Sequence, residues 1–392
     1  MSKQTIASRM GLLHTESAFQ VLAKAKALEA QGKSIIHMQI GQPDFKTPQN
    51  IIDAAYRAMN DGYTGYSPTP GFPETRKAIA EYAEKQKHIK TSPDEVVVVP
   101  GGKPVMFYTM LMLVEPGDEV VYPNPSFPIY ESNIKFAGGL PVPIPLTSEN
   151  DFQLDIELFA NLITPKTKLV IINNPSNPTG GVYERENIEA MAEVLKDRPD
   201  IHILSDEIYD RLVFDGEAVS IASLPGFKDR TIILDGFSKT YSMTGWRLGY
   251  GIMNTVLAKE MEMLMVNSNS CAAAFSQIAA IEALTGPQDA VEVMRTAFKE
   301  RRDWLVKALN DIPGVKCCLP KGAFYVFPDI SSFGISSDEF ADRLLNEDGV
   351  ASVSGTAFGS YGEGYIRLSY ATSPDNIKAA TERIANFVSR LK

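Results

Sequence analysis

The chain contains two segments with the same pattern, 201-IHILSDEIY-209 and 231-TIILDGFSK-239. In each, a short and mostly apolar run is followed within a few residues by a charged side chain, Asp206 in the first and Lys239 in the second. Apolar runs of this length, bounded by polar residues, predict strands that are buried on both faces of a mostly parallel sheet. Because ligands bind at the carboxyl edge of such sheets, both charged residues are candidates for a functional site.

Strand and helix patterns alternate through the middle of the chain. Strands are predicted at 96–99, 119–122, 168–172, 201–204 and 231–234, and helices from Lys103, over 128–136 and over 184–196. This alternation predicts an α/β fold. The C-terminal part predicts a smaller α+β domain, with helices over 289–309, from Ser337 and from Pro374 and strands at 323–327 and 365–369. Periodicity also predicts a helix over 17–30, but it does not place this helix or the segment 35–40 in the fold.

The composition excludes several classes of function. The 392 residues carry a formal net charge of −10, which argues against a nucleic-acid partner. The three cysteines do not form a disulfide framework, which favours a reducing compartment such as the cytoplasm. The four histidines are not at metal-ligand spacing, so no metal site is expected. Residues 1–10 lack the apolar run of a signal peptide, and no long apolar stretch predicts a membrane span.

Asp206 and Lys239 each allow two interpretations. A carboxylate after a strand suits a protonated ring nitrogen, with Tyr209 one helical turn away, but Asp206 also suits the cap of a following helix. A partly desolvated lysine has a lowered pKa and forms a Schiff base, whereas a lysine in a loop is ordinarily a surface residue.

Three other segments carry candidate binding residues. The loop 173-NNPSNPTGG-181 is dense in turn residues, and it either holds the Asn177 amide in one orientation or is simply a tight connection. Gly102 and Lys103 lie between a strand and a helix, where backbone N–H groups suit a phosphate that Arg247 could also hold. Arg367 lies within an apolar strand pattern, so it requires either a carboxylate ligand or a structural ion pair.

Taken together, the order and local sequence of these residues resemble the class I/II aminotransferases, which are fold-type I pyridoxal-phosphate (PLP) enzymes. The resemblance extends from about Ser8 to the C-terminus. Within the family, the chain resembles the bacterial aspartate aminotransferase branch. It is carried by the motifs 41-GQPDF-45, 177-NPTG-180, 205-SDEIY-209, 238-SKTY-241 and 245-GWRLG-249. It implies a large domain with a mostly parallel seven-stranded sheet covered by helices, plus the smaller α+β domain. The expected boundaries are 1–45 for an N-terminal arm and the first part of the small domain, 46–288 for the PLP-binding domain and 289–392 for the rest of the small domain.

The resemblance also implies a role for each candidate residue. Lys239 holds PLP as a Schiff base and moves a proton, Asp206 pairs with the pyridine nitrogen, and Tyr209 and Asn177 bind the phenolic oxygen. Arg367 binds the substrate α-carboxylate with the help of Asn177 and the Gly41 backbone. The remaining implied cofactor contacts are Phe127, which stacks on the ring, and Gly102, the Lys103 backbone, Ser238 and Arg247, which hold the phosphate. Tyr66 is expected to reach the phosphate of a neighbouring subunit, which implies a homodimer with shared sites.

Two departures from the family pattern bear on the substrate pocket. Phe127 stands where many relatives carry tryptophan or tyrosine, and Gln42 replaces a common glutamate. Neither departure removes a catalytic group.

Three functions remain in competition. The first is a ping-pong aminotransferase, a transferase of amino-acid metabolism, with 2-oxoglutarate as the amino acceptor. The second is a PLP-dependent lyase, either a cysteine-conjugate β-lyase or an aminocyclopropane-carboxylate synthase. The third is a non-catalytic cofactor-binding or regulatory protein, against which the joint presence of Lys239, Asp206 and Arg367 argues.

The amino donor is not determined by the sequence. Aspartate and glutamate are the first candidates and an aromatic amino acid is the next. A dicarboxylic substrate needs a second cation, for which Lys103, Arg9 and Arg295 are the candidates.

Overall fold

The computed structural model of the chain describes residues 6–13 and 16–391. Residues 1–5, 14 and 15 therefore lie outside the described residues. They belong to the segment predicted above to be an N-terminal arm without a signal peptide. The helices are α1 Ser17–Glu29, α2 Gln49–Asn60, α3 Pro73–Lys87, α4 Lys103–Leu113, α5 Ile129–Ala137, α6 Ile156–Leu162, α7 Arg185–Leu195, α8 Thr255–Val266, α9 Ala274–Thr285, α10 Asp289–Asn310, α11 Ser337–Asp348 and α12 Pro374–Ser389. The strands are β1 Ile36–His37, β2 Val96–Val99, β3 Glu119–Asn124, β4 Leu140–Pro145, β5 Thr167–Asn173, β6 His202–Asp206, β7 Thr231–Gly236, β8 Gly249–Ile252, β9 Tyr325–Val326, β10 Val350–Ala351, β11 Val353–Ser354 and β12 Ile366–Ser369.

The large sheet has seven strands in the order β2-β8-β7-β6-β5-β3-β4. Strand β8 runs antiparallel to both of its neighbours, and the other pairs are parallel. The central strands β6 and β7 are buried almost throughout, as their apolar sequences predict. This confirms the predicted α/β class with a mostly parallel seven-stranded sheet.

A second apolar core lies in the C-terminal part of the chain. It joins α10, α11 and α12 to the small antiparallel sheet β11-β12-β9. Ile36 and Met38 belong to the same core, and β1 pairs in parallel with β10. The N-terminal segment 35–40 thus packs with C-terminal elements. The boundaries after residues 45 and 288 stay predictions.

The structure departs from the sequence patterns at several strands, including β10 and β11, and at three of them the physical reason is local. The edge strand β4 is not evident from the sequence because Pro141, Pro143 and Pro145 lack the N–H donors that strands normally supply. A strand at the edge of a sheet tolerates prolines, since one side of it has no neighbouring strand. Strand β8 was not predicted because it contains two glycines. The strand predicted at 323–327 is limited to Tyr325–Val326, since Ala323 has a φ of 58°, outside the extended region.

Within the described residues, no helix combines the length and the apolar character needed to cross a membrane.

Candidate active site

A cavity of about 470 Å³ opens at the carboxyl edge of the large sheet. Strands β2, β3, β5, β6 and β7 all run in the same direction, so the loops that follow them meet at this edge. The structure brings most of the predicted residues together here. The cavity is lined by Gly41, Gly102, Lys103, Phe127, Asn177, Asp206, Tyr209, Lys239, Arg247 and Arg367 from the predicted set.

Two predicted cofactor contacts lie elsewhere. Ser238 is buried next to Lys239 but is not among the residues that line the cavity. Tyr66 is 92% exposed on the surface, away from the cavity lining of its own chain.

Lys239 follows β7 and presents its amine to the cavity. Its Nζ atom donates a hydrogen bond to the Gly41 carbonyl oxygen at 2.5 Å and lies 5.9 Å from the centre of the Tyr209 ring. Burial and, to a smaller extent, the neighbouring charge of Arg367 together lower the pKa of the Lys239 amine to about 8. A substantial fraction of the amine is therefore neutral near physiological pH and is available as a nucleophile.

Asp206 ends β6 and is only 5% exposed. Its Oδ2 atom accepts a hydrogen bond from the Tyr130 hydroxyl at 2.6 Å, and its Oδ1 atom accepts from the Ile208 backbone N–H at 3.3 Å. Burial raises the pKa of this carboxyl to about 6, although the bond from Tyr130 opposes the shift. The backbone contact stabilises a turn, and no helix follows, so the helix-cap interpretation is wrong. A carboxylate this buried suits a cationic ligand group in the cavity.

A helix N-terminus and an arginine form a second feature of the site. Gly102 is the N-cap of α4, and its neighbour Gly101 has a φ of 80°, which favours glycine. The Arg247 guanidinium packs directly on Gly101, where an added Cβ would overlap it. Free N–H groups at a helix N-terminus, next to a guanidinium, form an anion-binding site.

Arg367 lies in β12 and is 4% exposed. Its guanidinium donates to Asn177 Oδ1 at 3.0 Å and to the Gln39 carbonyl oxygen at 2.5 Å, and it lies 4.5 Å from the centre of the Tyr325 ring. Its Nε atom has no hydrogen-bond partner among the described residues, and its described hydrogen-bond partners include no carboxylate. The ion-pair interpretation of Arg367 is therefore wrong for the described chain, and the guanidinium is free to bind an anionic ligand.

Two tyrosines complete the wall between Lys239 and Arg367. The Tyr209 and Tyr325 hydroxyls are 2.8 Å apart and form a hydrogen bond. Burial raises the pKa of Tyr209 well above its usual value, so the hydroxyl stays protonated. Gly41 approaches Tyr325 so closely that a Cβ would overlap its hydroxyl. This approach requires glycine, and it places the Gly41 carbonyl against Lys239.

A buried ion cluster lies behind the site. The Lys87 Nζ atom, from the C-terminal end of α3, lies 2.9 Å from Glu207 Oε2 and 3.0 Å from Asp235 Oδ2, and it also contacts Asp210. Glu207 is adjacent to Asp206, and Asp235 lies near the end of β7, four residues before Lys239. Lys87 therefore ties together the two strand ends that carry these residues. Burial lowers the pKa of Lys87, but the three carboxylates outweigh it, so the net pKa is raised and the side chain stays charged.

Sequence reasoning missed several residues that line or support the cavity. Tyr130 and Tyr325 were not identified, although each is an aromatic residue close to a strand that reaches the site. Glu16 lines the cavity just before α1 and forms an ion pair with Lys103. The sequence signal that could have identified Glu16 is an acidic side chain immediately before a predicted helix.

Comparison with known proteins places the chain in a family. The profile of the family described as aminotransferase class I and II matches residues 33–384. The chain belongs to this family. It is 44% identical to the aspartate aminotransferase of Bacillus sp. (strain YM-2), over 98% of this chain and all of that one.

Solved structures agree with this assignment. The aspartate aminotransferase from Thermus thermophilus with maleate superposes with a TM-score of 0.94 at 37% identity, covering 98% of this chain and 99% of the other. The aromatic aminotransferase from Pyrococcus horikoshii gives a TM-score of 0.89 at 38% identity, covering 94% and 99%. The chain is thus a PLP-dependent aminotransferase, and the lyase alternative is not favoured.

Proposed function

We propose that this aminotransferase holds PLP on Lys239 and moves the amino group of an L-amino acid to a 2-oxo acid in two half-reactions. The acceptor expected from the sequence is 2-oxoglutarate. The observation that carries the proposal is one cavity that presents a buried amine of lowered pKa opposite a buried carboxylate. PLP, when bound, accepts the electron pair released from the substrate Cα.

The described residues fit the shape and charge of PLP. The described hydrogen-bond partners of the buried Asp206 carboxylate are neutral groups. A protonated pyridine nitrogen would supply the cation that such a carboxylate needs. The phosphate would lie at the N-terminus of α4, with Gly102, the Lys103 backbone, Ser238 and Arg247 around it. Tyr209 and Asn177 would bind the phenolic oxygen, and Phe127 would pack on the ring.

Arg367 would orient the substrate. The Arg367 Nε atom has no partner, and each of the two terminal nitrogens donates one hydrogen bond, so N–H donors remain. The guanidinium therefore suits a bidentate contact to an α-carboxylate, with Asn177 and the Gly41 backbone beside it. The contact fixes which bond at Cα faces Lys239. Because the Lys239 amine has a pKa of about 8, it can accept the Cα proton and return it near neutral pH.

We also infer a homodimer, a cytoplasmic location and the domain boundaries given above. Several apolar side chains are exposed on α2 and α8, and Tyr66 is exposed in the loop that follows α2, which suits a surface that a partner subunit covers. Those on the two helices include Tyr56, Met59, Met263 and Val266. In a dimer with shared sites, Tyr66 of one subunit would reach the phosphate of the other. The three free cysteines suit a reducing compartment.

Borohydride reduction of the PLP-loaded protein, followed by peptide mass spectrometry, tests the proposal. The cofactor is expected on the peptide that contains Lys239. Lys239→Ala is expected to lose both the covalent label and turnover while keeping reversible PLP binding through Arg247. Lys378→Ala, a change at an exposed position of α12 away from the cavity lining, serves as the control and keeps both. A label on another lysine, or unchanged turnover in Lys239→Ala, contradicts the proposal.

A further inference from the structure

The charged residues that line the cavity limit the substrates it can take. Among the described lining residues the cations are Lys103, Lys239, Arg247 and Arg367. Under the proposed function, on which this inference rests, Lys239 holds the cofactor, Arg247 the phosphate and Arg367 the α-carboxylate. Among the lining residues that one subunit supplies, Lys103 therefore remains as the cation available to a second substrate carboxylate.

Lys103 already has an anionic partner. Its Nζ atom forms an ion pair with Glu16, whose side chain is 18% exposed and also lines the cavity. The other two candidate cations do not replace it. Arg295 lines a different cavity and pairs with Glu292 at 2.8 Å, and Arg9 is not among the residues that line the active-site cavity.

A second substrate carboxylate would meet this pair at a cost. It must either displace Glu16 from Lys103 or lie beside the Glu16 carboxylate, and like charges in a partly desolvated site repel strongly. The lining beside this pair offers apolar contact instead. Ala18 and Phe19 follow Glu16 in the sequence, and the Phe127 ring centre lies 5.8 Å from the Lys103 Nζ atom.

We propose that Glu16 is a specificity-determining residue that selects amino acids with neutral apolar or aromatic side chains over dicarboxylic ones. This reverses the preference for aspartate and glutamate expected from the sequence. The same pair lowers the efficiency of 2-oxoglutarate relative to a neutral oxo acid such as pyruvate.

Glu16→Gln tests the proposal because it removes the charge and keeps the shape. The assay is the half-reaction of PLP-loaded protein with L-aspartate, L-glutamate, L-phenylalanine or L-leucine, followed by cofactor absorbance. We expect the ratio of dicarboxylic to neutral kcat/KM to rise about tenfold or more. Glu29→Gln, at the other end of α1 and paired with His37, is the matched control and leaves the ratio unchanged.

A second variant links the effect to Lys103. In Glu16→Gln/Lys103→Gln the freed cation is absent, so the gain for dicarboxylic substrates should disappear. If the native protein prefers aspartate over phenylalanine, or if Glu16→Gln leaves the ratio unchanged, the proposal about Glu16 is wrong while the aminotransferase function stands. If no amino acid reacts with the native protein, both fail.

Discussion

Replacement of Lys87 by methionine tests how the buried cluster holds the site together. Methionine keeps a long apolar side chain but removes the ammonium that contacts Glu207, Asp210 and Asp235. The Lys87 side chain is 4% exposed, so water can replace these contacts only in part. The change leaves buried carboxylates without their cation and releases the two strand ends that carry Asp206 and Lys239.

The contact distances set the size of the effect. At an effective dielectric constant of about 20, each contact near 3 Å has a Coulomb energy of roughly 5 kcal/mol. Desolvation of the four buried groups offsets most of this sum. Breaking such a group by removing one partner costs about 3–5 kcal/mol, which is the expected loss in the free energy of unfolding.

The loss should depend on pH in a defined direction. Burial already raises the pKa of Asp235 to about 7, against the lowering effect of Lys87, and removal of the cation raises it further. A carboxyl whose pKa is higher in the folded state stabilises that state at low pH and loses the contribution as pH rises. The deficit of Lys87→Met should therefore be smaller at pH 5 than at pH 8.

Urea unfolding of the PLP-loaded protein, followed by circular dichroism, measures the loss. The control is Lys77→Met on the same helix, where the exposed Nζ atom lies 3.8 Å from Glu81 Oε1. That pair is expected to contribute about 0–1 kcal/mol. Equal losses in the two variants would refute the structural role given to Lys87.

Three further predictions concern the active site. Arg367→Lys keeps the charge but loses the planar fork, so KM should rise on the order of 10- to 100-fold for every amino acid in steady-state assays; a rise for one substrate class alone would show that the role is misassigned. The rate of PLP incorporation into cofactor-free protein should increase with pH around a midpoint near 8, because the neutral Lys239 amine is the nucleophile, and a midpoint near 10 would contradict the lowered pKa. Gly101→Ala should weaken PLP binding about tenfold or more by displacing the Arg247 guanidinium, in an absorbance titration. Gly62→Ala is the control, because Gly62 has a similar φ of 90° and an added Cβ there would meet open space. If both substitutions lower the PLP affinity equally, the effect does not come from displacement of Arg247.

The central strands and the residues that follow them were predictable because their signals are local. Each of β6 and β7 is a continuous apolar run, and burial on both faces of the sheet is the physical reason for that run. Asp206 and Lys239 follow those runs, so their approach at the carboxyl edge follows from the parallel arrangement.

The supporting residues were not predictable from local patterns. Lys87 is 120 residues from Glu207 along the chain, and nothing in its helix distinguishes it from the exposed lysines nearby. Tyr130 reaches Asp206 from 76 residues away. Such contacts depend on tertiary packing, which also allows the proline-rich β4 at the sheet edge.

The most direct test of the central claim is an absorbance measurement on the purified PLP-loaded protein mixed with single L-amino acids and no oxo acid. We expect the band of the bound aldehyde form of the cofactor to be replaced by the band of the amine form, and an added 2-oxo acid to restore the first band. A spectrum that does not change with any amino acid would contradict amino transfer. So would a spectrum that recovers without added oxo acid while ammonia and a 2-oxo acid accumulate, since that result identifies a lyase.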